Sequence, residues 1–306
     1  MIRIPTFTLQ EKKLPRVIFS IQYSASSVSE ALFTLTRKVY DLGVWCFDLP
    51  SVKHREAFRE LKNLTEDESL IGVGHIDAEE GVSFLGKPLH RFEPTLASTI
   101  QKNLFPPHLI RDLKERGLWK SKRFFPTPAS SQVFTQKEID RISFDPSRFD
   151  QALSRLRPEE SLFLMIGEIY GDWLSALGRV DLLQTMALKT REKGFIPILS
   201  ANWATHFLPK AKSVNVCAYA IPVNKNWSLF DLDLASKLIK KFDRCLISLD
   251  PFDNGKLLTN PAEALSFLFE ELRIASAIAE ISSEEEGKQI LKALETFPSV
   301  RPPRKT

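Results

Sequence analysis

The chain has 306 residues, 43% of them apolar and 26% charged, with a formal net charge of +4. That composition excludes a disordered or fibrous chain. Bases and acids are mixed along most of the sequence, so the small positive surplus gives no indication of a nucleic-acid partner. No segment reaches the roughly 18 apolar residues of a membrane span, and the first residues, MIRIPTFTLQEKKLPR, lack the apolar stretch and cleavage site of a secretory signal. A cytoplasmic protein is expected. Cys46, Cys217 and Cys245 show no CxxC or metal-type spacing, and each sits in an apolar run, as small buried hydrophobes do in a reducing compartment.

In chain order, short runs rich in Val, Ile, Leu and Phe alternate with longer amphipathic stretches, the pattern of repeated βαβ units around a parallel sheet. Strands are predicted at Val17 to Tyr23, Val44 to Asp48, Leu70 to His75, Leu162 to Glu168, Ile196 to Ser200, Asn215 to Tyr219, Arg244 to Asp250 and Ser276 to Ile281. Helices are predicted at Ser29 to Leu42, His54 to Leu64, Ser147 to Leu156, Trp173 to Lys193, Ala204 to Lys212, Asp231 to Lys241, Pro261 to Leu272 and Ser283 to Phe297. Asn260 before Pro261 is a good helix cap, Ser283 precedes three glutamates at the positive end of a helix dipole, and Lys193 with Gly194 closes the fourth helix. Eight strands, each followed by a helix, predict one α/β domain over 1–306, a (β/α)8 TIM barrel. Residues 6–10 are expected to cover its N-terminal end.

One segment breaks this rhythm. Residues 78–143 form a long insertion after the third strand, where a loop of a few residues is usual. Within it, Lys87 to Arg123 holds nine Lys and Arg against three Asp and Glu, with Phe92, Phe105, Trp119, Phe124 and Phe125 interleaved. It is expected over the C-terminal mouth, with some of these aromatics buried against the barrel. Residues 87–125 are also a candidate protein-binding surface, and a solvated flap is the plainer reading.

The last residue of a barrel strand points into the C-terminal mouth, so polar residues there are candidates for chemistry. The strand ends supply Asp48, His75 followed by Asp77, Glu168, Ser200 with Asn202, and Asp250. A small-molecule ligand is expected in that mouth.

At these residues the chain resembles the aldo-keto reductases. YDLGVWCFD, Tyr40 to Asp48, resembles the family stretch that carries a catalytic aspartate, with a catalytic tyrosine five residues later. KGFIPILSAN, Lys193 to Asn202, is similar to the region whose serine and asparagine hold a nicotinamide amide. The C-terminal part matches best: LISLDPFDNGKLL from Leu246, PAEAL from Pro261 and AIAEISSEEE from Ala277 are similar to the seventh strand with its loop, the next helix, and the eighth strand with its cofactor-phosphate turn.

The resemblance implies a nicotinamide cofactor held by Ser200, Asn202, Asp250, Asn254, Gly255, Ser282 and Ser283, and chemistry by Asp, Tyr, Lys and His. The tyrosine would be the general acid and the histidine would orient substrate. The chain departs from this set. Lys53 stands where the tyrosine is expected, His75 where the lysine is, Gly167 and Glu168 where the histidine is, and Ala218 near an amide-binding glutamine. Asp48, Lys53, His75 and Glu168 are therefore the candidate catalytic residues. Lys53 could replace a phenol only if burial lowered its pKa to about 7 or 8. The ordinary His75 pKa of about 6.5 predicts a pH profile breaking near neutrality. Glutamates 284–286 would repel a 2′-phosphate, so NAD is easier to accommodate than NADP, and no cofactor at all is an open alternative.

Three functions follow: a divergent NAD(P)-dependent oxidoreductase of weak or altered activity on a small carbonyl or alcohol; a catalytically silent barrel acting as a binding or regulatory subunit; and, with least support, metal-assisted chemistry at Asp48, His75, Asp77, Glu168 and Asp250.

Overall fold

The computed structural model describes residues 4–22, 29–76, 81–104, 132–228 and 231–300. Eight parallel strands close into a barrel in the order β3 (Val17–Ile21), β4 (Cys46–Leu49), β5 (Ile71–His75), β9 (Phe163–Ile166), β10 (Ile196–Ser200), β11 (Ala218–Pro222), β12 (Leu246–Leu249) and β13 (Ser276–Ile281), which pairs with β3. This is the predicted (β/α)8 TIM barrel. Helices follow the strands and pack outside them, covering the strands' outward faces with a continuous apolar layer that includes Phe19, Phe47, Leu199 and Tyr219.

Ahead of the barrel, β1 (Thr6–Leu9) and β2 (Lys12–Pro15) form an antiparallel hairpin. Phe7, Leu9 and Leu14 from this hairpin join one buried cluster with the inward-facing Ile18, Cys46, Val73, Phe163, Ile198 and Ile247. The hairpin thus plugs the N-terminal end, as expected for residues 6–10. Arg16 fastens it: its guanidinium donates to the carbonyls of Ile274 (3.0 Å) and Ala275 (3.3 Å) and lies 3.8 Å above the Phe269 ring. Burial pushes this guanidinium down to about 10, with Glu270 opposing the shift.

Helix starts follow their caps. Asp145 accepts from Arg148 N ahead of Pro146, Asn260 accepts from Glu263 N ahead of Pro261, and Ser283 accepts from Glu286 N. Two predicted elements differ. The fourth helix is divided into Ile169–Ala176 and Val180–Glu192, because Gly178 takes a positive φ of 76° and turns the chain there. The sixth strand runs from Ala218 to Pro222 rather than Asn215 to Tyr219. Its apolar run has no polar residue to mark an end, so register is set by pairing, Ile198 with Ala218 and Tyr219 with Leu246. Ala218 consequently lies in the barrel core, and Pro222 stands at the mouth.

Within the insertion, β6 (Val82–Phe84) pairs with β7 (Lys87–Pro88) and with β8 (Ser143–Phe144), and a helix spans Glu93–Leu104. Phe84 packs edge-on to Phe92 and Phe134, at centroid distances of 5.0 and 4.9 Å. Of the five interleaved aromatics, Phe92 is partly buried against the core; Phe105, Trp119, Phe124 and Phe125 lie outside the described residues.

Candidate functional site

Residues on a barrel strand alternate between interior and exterior, so the residue two after an inward apolar one also faces inward, one layer nearer the mouth. Ile18 is followed by Ser20, Cys46 by Asp48, Val73 by His75, Ile198 by Ser200 and Ile278 by Glu280. The first member of each pair belongs to the barrel core. The second lines a cavity of about 300 Å³, together with Glu168, Asn202 and Asp250 from the loops and Met165, Pro222 and Leu249 as apolar wall. The structure therefore brings Asp48, His75, Glu168, Ser200 and Asp250 to one cavity at the C-terminal end. Ser20 and Glu280 belong there too, and the same period of two in IFSI and AIAEI was their signal.

His75 is the centre. Its Nε2–H donates to Asp48 Oδ1 at 2.6 Å and its Nδ1–H to Glu168 Oε1 at 3.0 Å. Ser20 Oγ donates to the other Asp48 oxygen at 2.9 Å. Burial alone would lower the imidazole pKa, but the Asp48 charge and hydrogen bond, reinforced by Glu168, raise it to about 10. The two carboxylates thus favour the imidazolium at neutral pH, which runs against the expected break near neutrality. Among the described residues no group of three or more His, Cys, Asp or Glu could hold a metal ion, and Asp77 lies outside them.

Glu168 reaches His75 through a strained turn. It has φ 44° and ψ −124°, a conformation suited to glycine rather than to a side chain carrying Cβ. Gly167 before it has φ 107°, and a Cβ there would stand 2.5 Å from the Ser200 carbonyl oxygen, so only glycine fits. Ser200 Oγ accepts from Glu168 N at 2.9 Å and donates to Ile166 O at 3.2 Å, tying this turn to the end of β10.

Asp172, one turn into the following helix, is buried and holds the next loop. Its carboxylate accepts from Asn202 N (2.8 Å), Asn202 Nδ2 (3.1 Å) and Trp203 N (2.7 Å). Burial raises its pKa to about 7, against the lowering by these hydrogen bonds. Sequence reasoning missed Asp172 because nothing local marks its partners thirty residues away.

Lys53 is not brought to the site. It lies exposed on the helix Val52–Thr65 and does not line the cavity, so the burial needed for a depressed pKa is absent. Its buried neighbour His54 faces inward instead. His54 Nε2–H donates to Ile21 O at 2.7 Å, and Ser51 Oγ donates to its Nδ1 at 2.7 Å. Burial lowers the His54 pKa, and the bond to Ile21 only partly offsets this.

A second cavity of about 130 Å³ adjoins the first, lined by Gln22, Asp250, Asn254, Gly255, Glu280, Ser282 and Glu286 among others. Asp250 Oδ1 accepts from Asn254 N at 2.7 Å. Glu286 folds back over its own helix start, accepting from Ser282 N at 2.6 Å and from Ser282 Oγ at 3.1 Å. Ser283 Oγ accepts from Glu286 N at 3.3 Å.

The overall fold is matched by solved structures. A protein of Pseudomonas aeruginosa assigned as an aldo-keto reductase superposes with a TM-score of 0.52 at 12% identity, over 96% of this chain and 98% of that one. The chain has the fold of the aldo-keto reductases. An aldo-keto reductase of Bacillus halodurans matches at a TM-score of 0.50 and 11% identity, over 97% of this chain and 93% of that one. A thermostable aldo-keto reductase in complex with the inhibitor epalrestat matches at 0.50 and 14%, over 96% and 95%. At these identities the likeness is one of fold. No protein-family model and no curated protein matches the sequence.

Set against the aldo-keto reductase pattern, the residues present do not fit a nicotinamide dinucleotide. Ser200 Oγ and one N–H of the Asn202 amide, groups assigned by resemblance to the nicotinamide amide, are engaged by Glu168, Ile166 and Asp172. The hydroxyl and N–H of Ser282, at the aldo-keto reductase phosphate turn, are taken by Glu286. Ser283 caps the helix and does not line the second cavity. Among the described residues that cavity presents Asp250, Glu280 and Glu286 and no Lys or Arg, so a pyrophosphate would meet carboxylates with no compensating cation from them.

Proposed function

We propose that the protein is a divergent barrel of the aldo-keto reductase fold that holds a small molecule at the Asp48, His75 and Glu168 array and does not carry out dinucleotide-dependent carbonyl reduction. The observation that carries this reading is the double clamp on His75. The only cation lining the mouth among the described residues has both N–H groups directed at carboxylates, so it cannot also protonate a substrate oxygen without breaking one of those bonds. Among the described residues no tyrosine lines the cavity to do so in its place. Glu168, which is more exposed than Asp48, is the residue we assign to contact the bound molecule. These features support a binding or regulatory barrel over a reductase.

The test is direct. Purified protein is titrated with NADH and NADPH while its melting temperature is followed, since a ligand at 100 times its dissociation constant adds about 2.7 kcal/mol. No shift with either nucleotide, and no oxidation of either with a panel of small aldehydes, is the expected result. Saturable binding with turnover would overturn it.

One observation favours the reductase reading. The Asp48 to His75 ion pair stands where resemblance places an aspartate paired with a lysine, so the electrostatic part of that site is retained in altered form. On that reading turnover would require His75, and His75→Ala would abolish it.

A further inference from the structure

We infer that the mouth cavity selects small cationic ligands, namely primary or secondary amines carrying a compact apolar body; the inference rests on the reading of the mouth as a ligand site. Four carboxylates, those of Asp48, Glu168, Asp250 and Glu280, line the cavity against one imidazolium. Three of the four have donors within the protein. Asp48 accepts from His75 and Ser20, Asp250 from Asn254, and Glu280 from Gln22. Glu168 differs: His75 occupies Oε1, and Oε2 receives no hydrogen bond among the described residues. This half-exposed carboxylate oxygen at the edge of the cavity is open to a ligand, and an ammonium there adds a charge-assisted hydrogen bond.

The remaining lining decides the rest of the ligand. Pro50, Met165, Ile169, Pro222 and Leu249 form an apolar wall that suits an alkyl or alicyclic body. Among the described residues no Phe, Tyr or Trp lines the cavity to form the aromatic cage that recognises quaternary ammonium groups, so recognition runs through N–H donors. Because the His75 donors are both spent, an anion finds no free cationic partner among the described residues that line the cavity. Low-dielectric walls focus the carboxylate field and strengthen the preference.

The chain offers a clean reporter. It has three methionines, of which Met165 lines the cavity while Met186 is buried outside it. With [13C]methyl-methionine protein, three ring compounds of matched shape are titrated: cyclohexylamine, cyclohexanol and cyclohexanecarboxylate. The amine is expected to shift the Met165 methyl and leave Met186 in place, with binding weakened by added salt and by about tenfold in Glu168→Gln. Glu280→Gln, an exposed change on β13, gives a second measurement should the first variant fold poorly, and is expected to weaken amine binding in the same direction. If the alcohol or the acid moves Met165 as strongly as the amine, the charge preference is wrong while the mouth remains a ligand site. If none of the three moves Met165, both inferences fall. Amine binding that ignores both substitutions overturns the assignment to these carboxylates.

Discussion

The backbone N–H of Glu168 donates to the hydroxyl of Ser200 across 2.9 Å, and this bond holds Glu168 at φ 44° and ψ −124°. Backbone held in such a region costs on the order of 1–3 kcal/mol. A glycine would adopt it without that cost, yet the sequence keeps a glutamate facing the cavity. Glu168→Gly should therefore stabilise the fold relative to Glu168→Ala by about 1 kcal/mol or more, while both lose amine binding. Chemical denaturation of the two variants checks this, and equal stability would show that the turn stores no strain.

Between Asp48 and Glu168, the His75 ring should stay doubly protonated well above neutrality. Nitrogen-detected NMR at pH 8 is expected to show two ring N–H groups, and Asp48→Asn should bring the transition down toward the ordinary histidine range. The folded-state pKa is raised from 6.5 to about 10, so the stabilisation from protonated His75 is fully present below pH 6.5 and lost as pH rises through about 10. His75→Gln should accordingly lie furthest below the parent in melting temperature under acidic conditions and approach it above pH 10.

Asp172 gives the opposite practical outcome at physiological pH. Its folded-state pKa is raised from 3.8 to about 7, so it favours the fold most below pH 3.8, and that contribution fades as pH climbs to 7. Asp172→Asn should flatten the stability profile between pH 4 and 7. It should also cost about 1–3 kcal/mol throughout, because an amide cannot accept all three N–H groups and leaves a buried donor unpaired. Melting curves across that range test both parts.

In the insertion, Phe84 is 3% exposed and touches Phe92 and Phe134. Phe84→Ala should destabilise the protein by about 3–5 kcal/mol. No described residue of 81–143 lines the mouth cavity, so cyclohexylamine binding should be unchanged in this variant at temperatures where it remains folded. Altered binding would place the insertion in the site.

Most strands were legible because a buried parallel strand is a short apolar run, and their polar final residues marked the mouth. The sixth strand was not, since the run VNVCAYAIP from Val214 to Pro222 has no polar stop and its register comes from β10 and β12. The residues of the site were legible one by one; their states were not. The charge on His75 depends on Asp48 and Glu168, 27 and 93 residues away in sequence. Glutamates 284–286 read correctly as helix-start acids, but that Glu286 turns back onto Ser282 is a matter of rotamer, which composition does not encode. Lys53 followed from spacing alone, and helix phase placed His54 inward in its stead.

The hairpin plug carries a kinetic consequence. With Phe7, Leu9 and Leu14 packed into one end of the barrel core, a molecule in the mouth cavity enters and leaves from the C-terminal side. A substitution that merely narrows that route, touching neither the bound ligand nor its contacts, must slow arrival and departure by the same factor. Occupancy at equilibrium would then stay fixed while residence time lengthens.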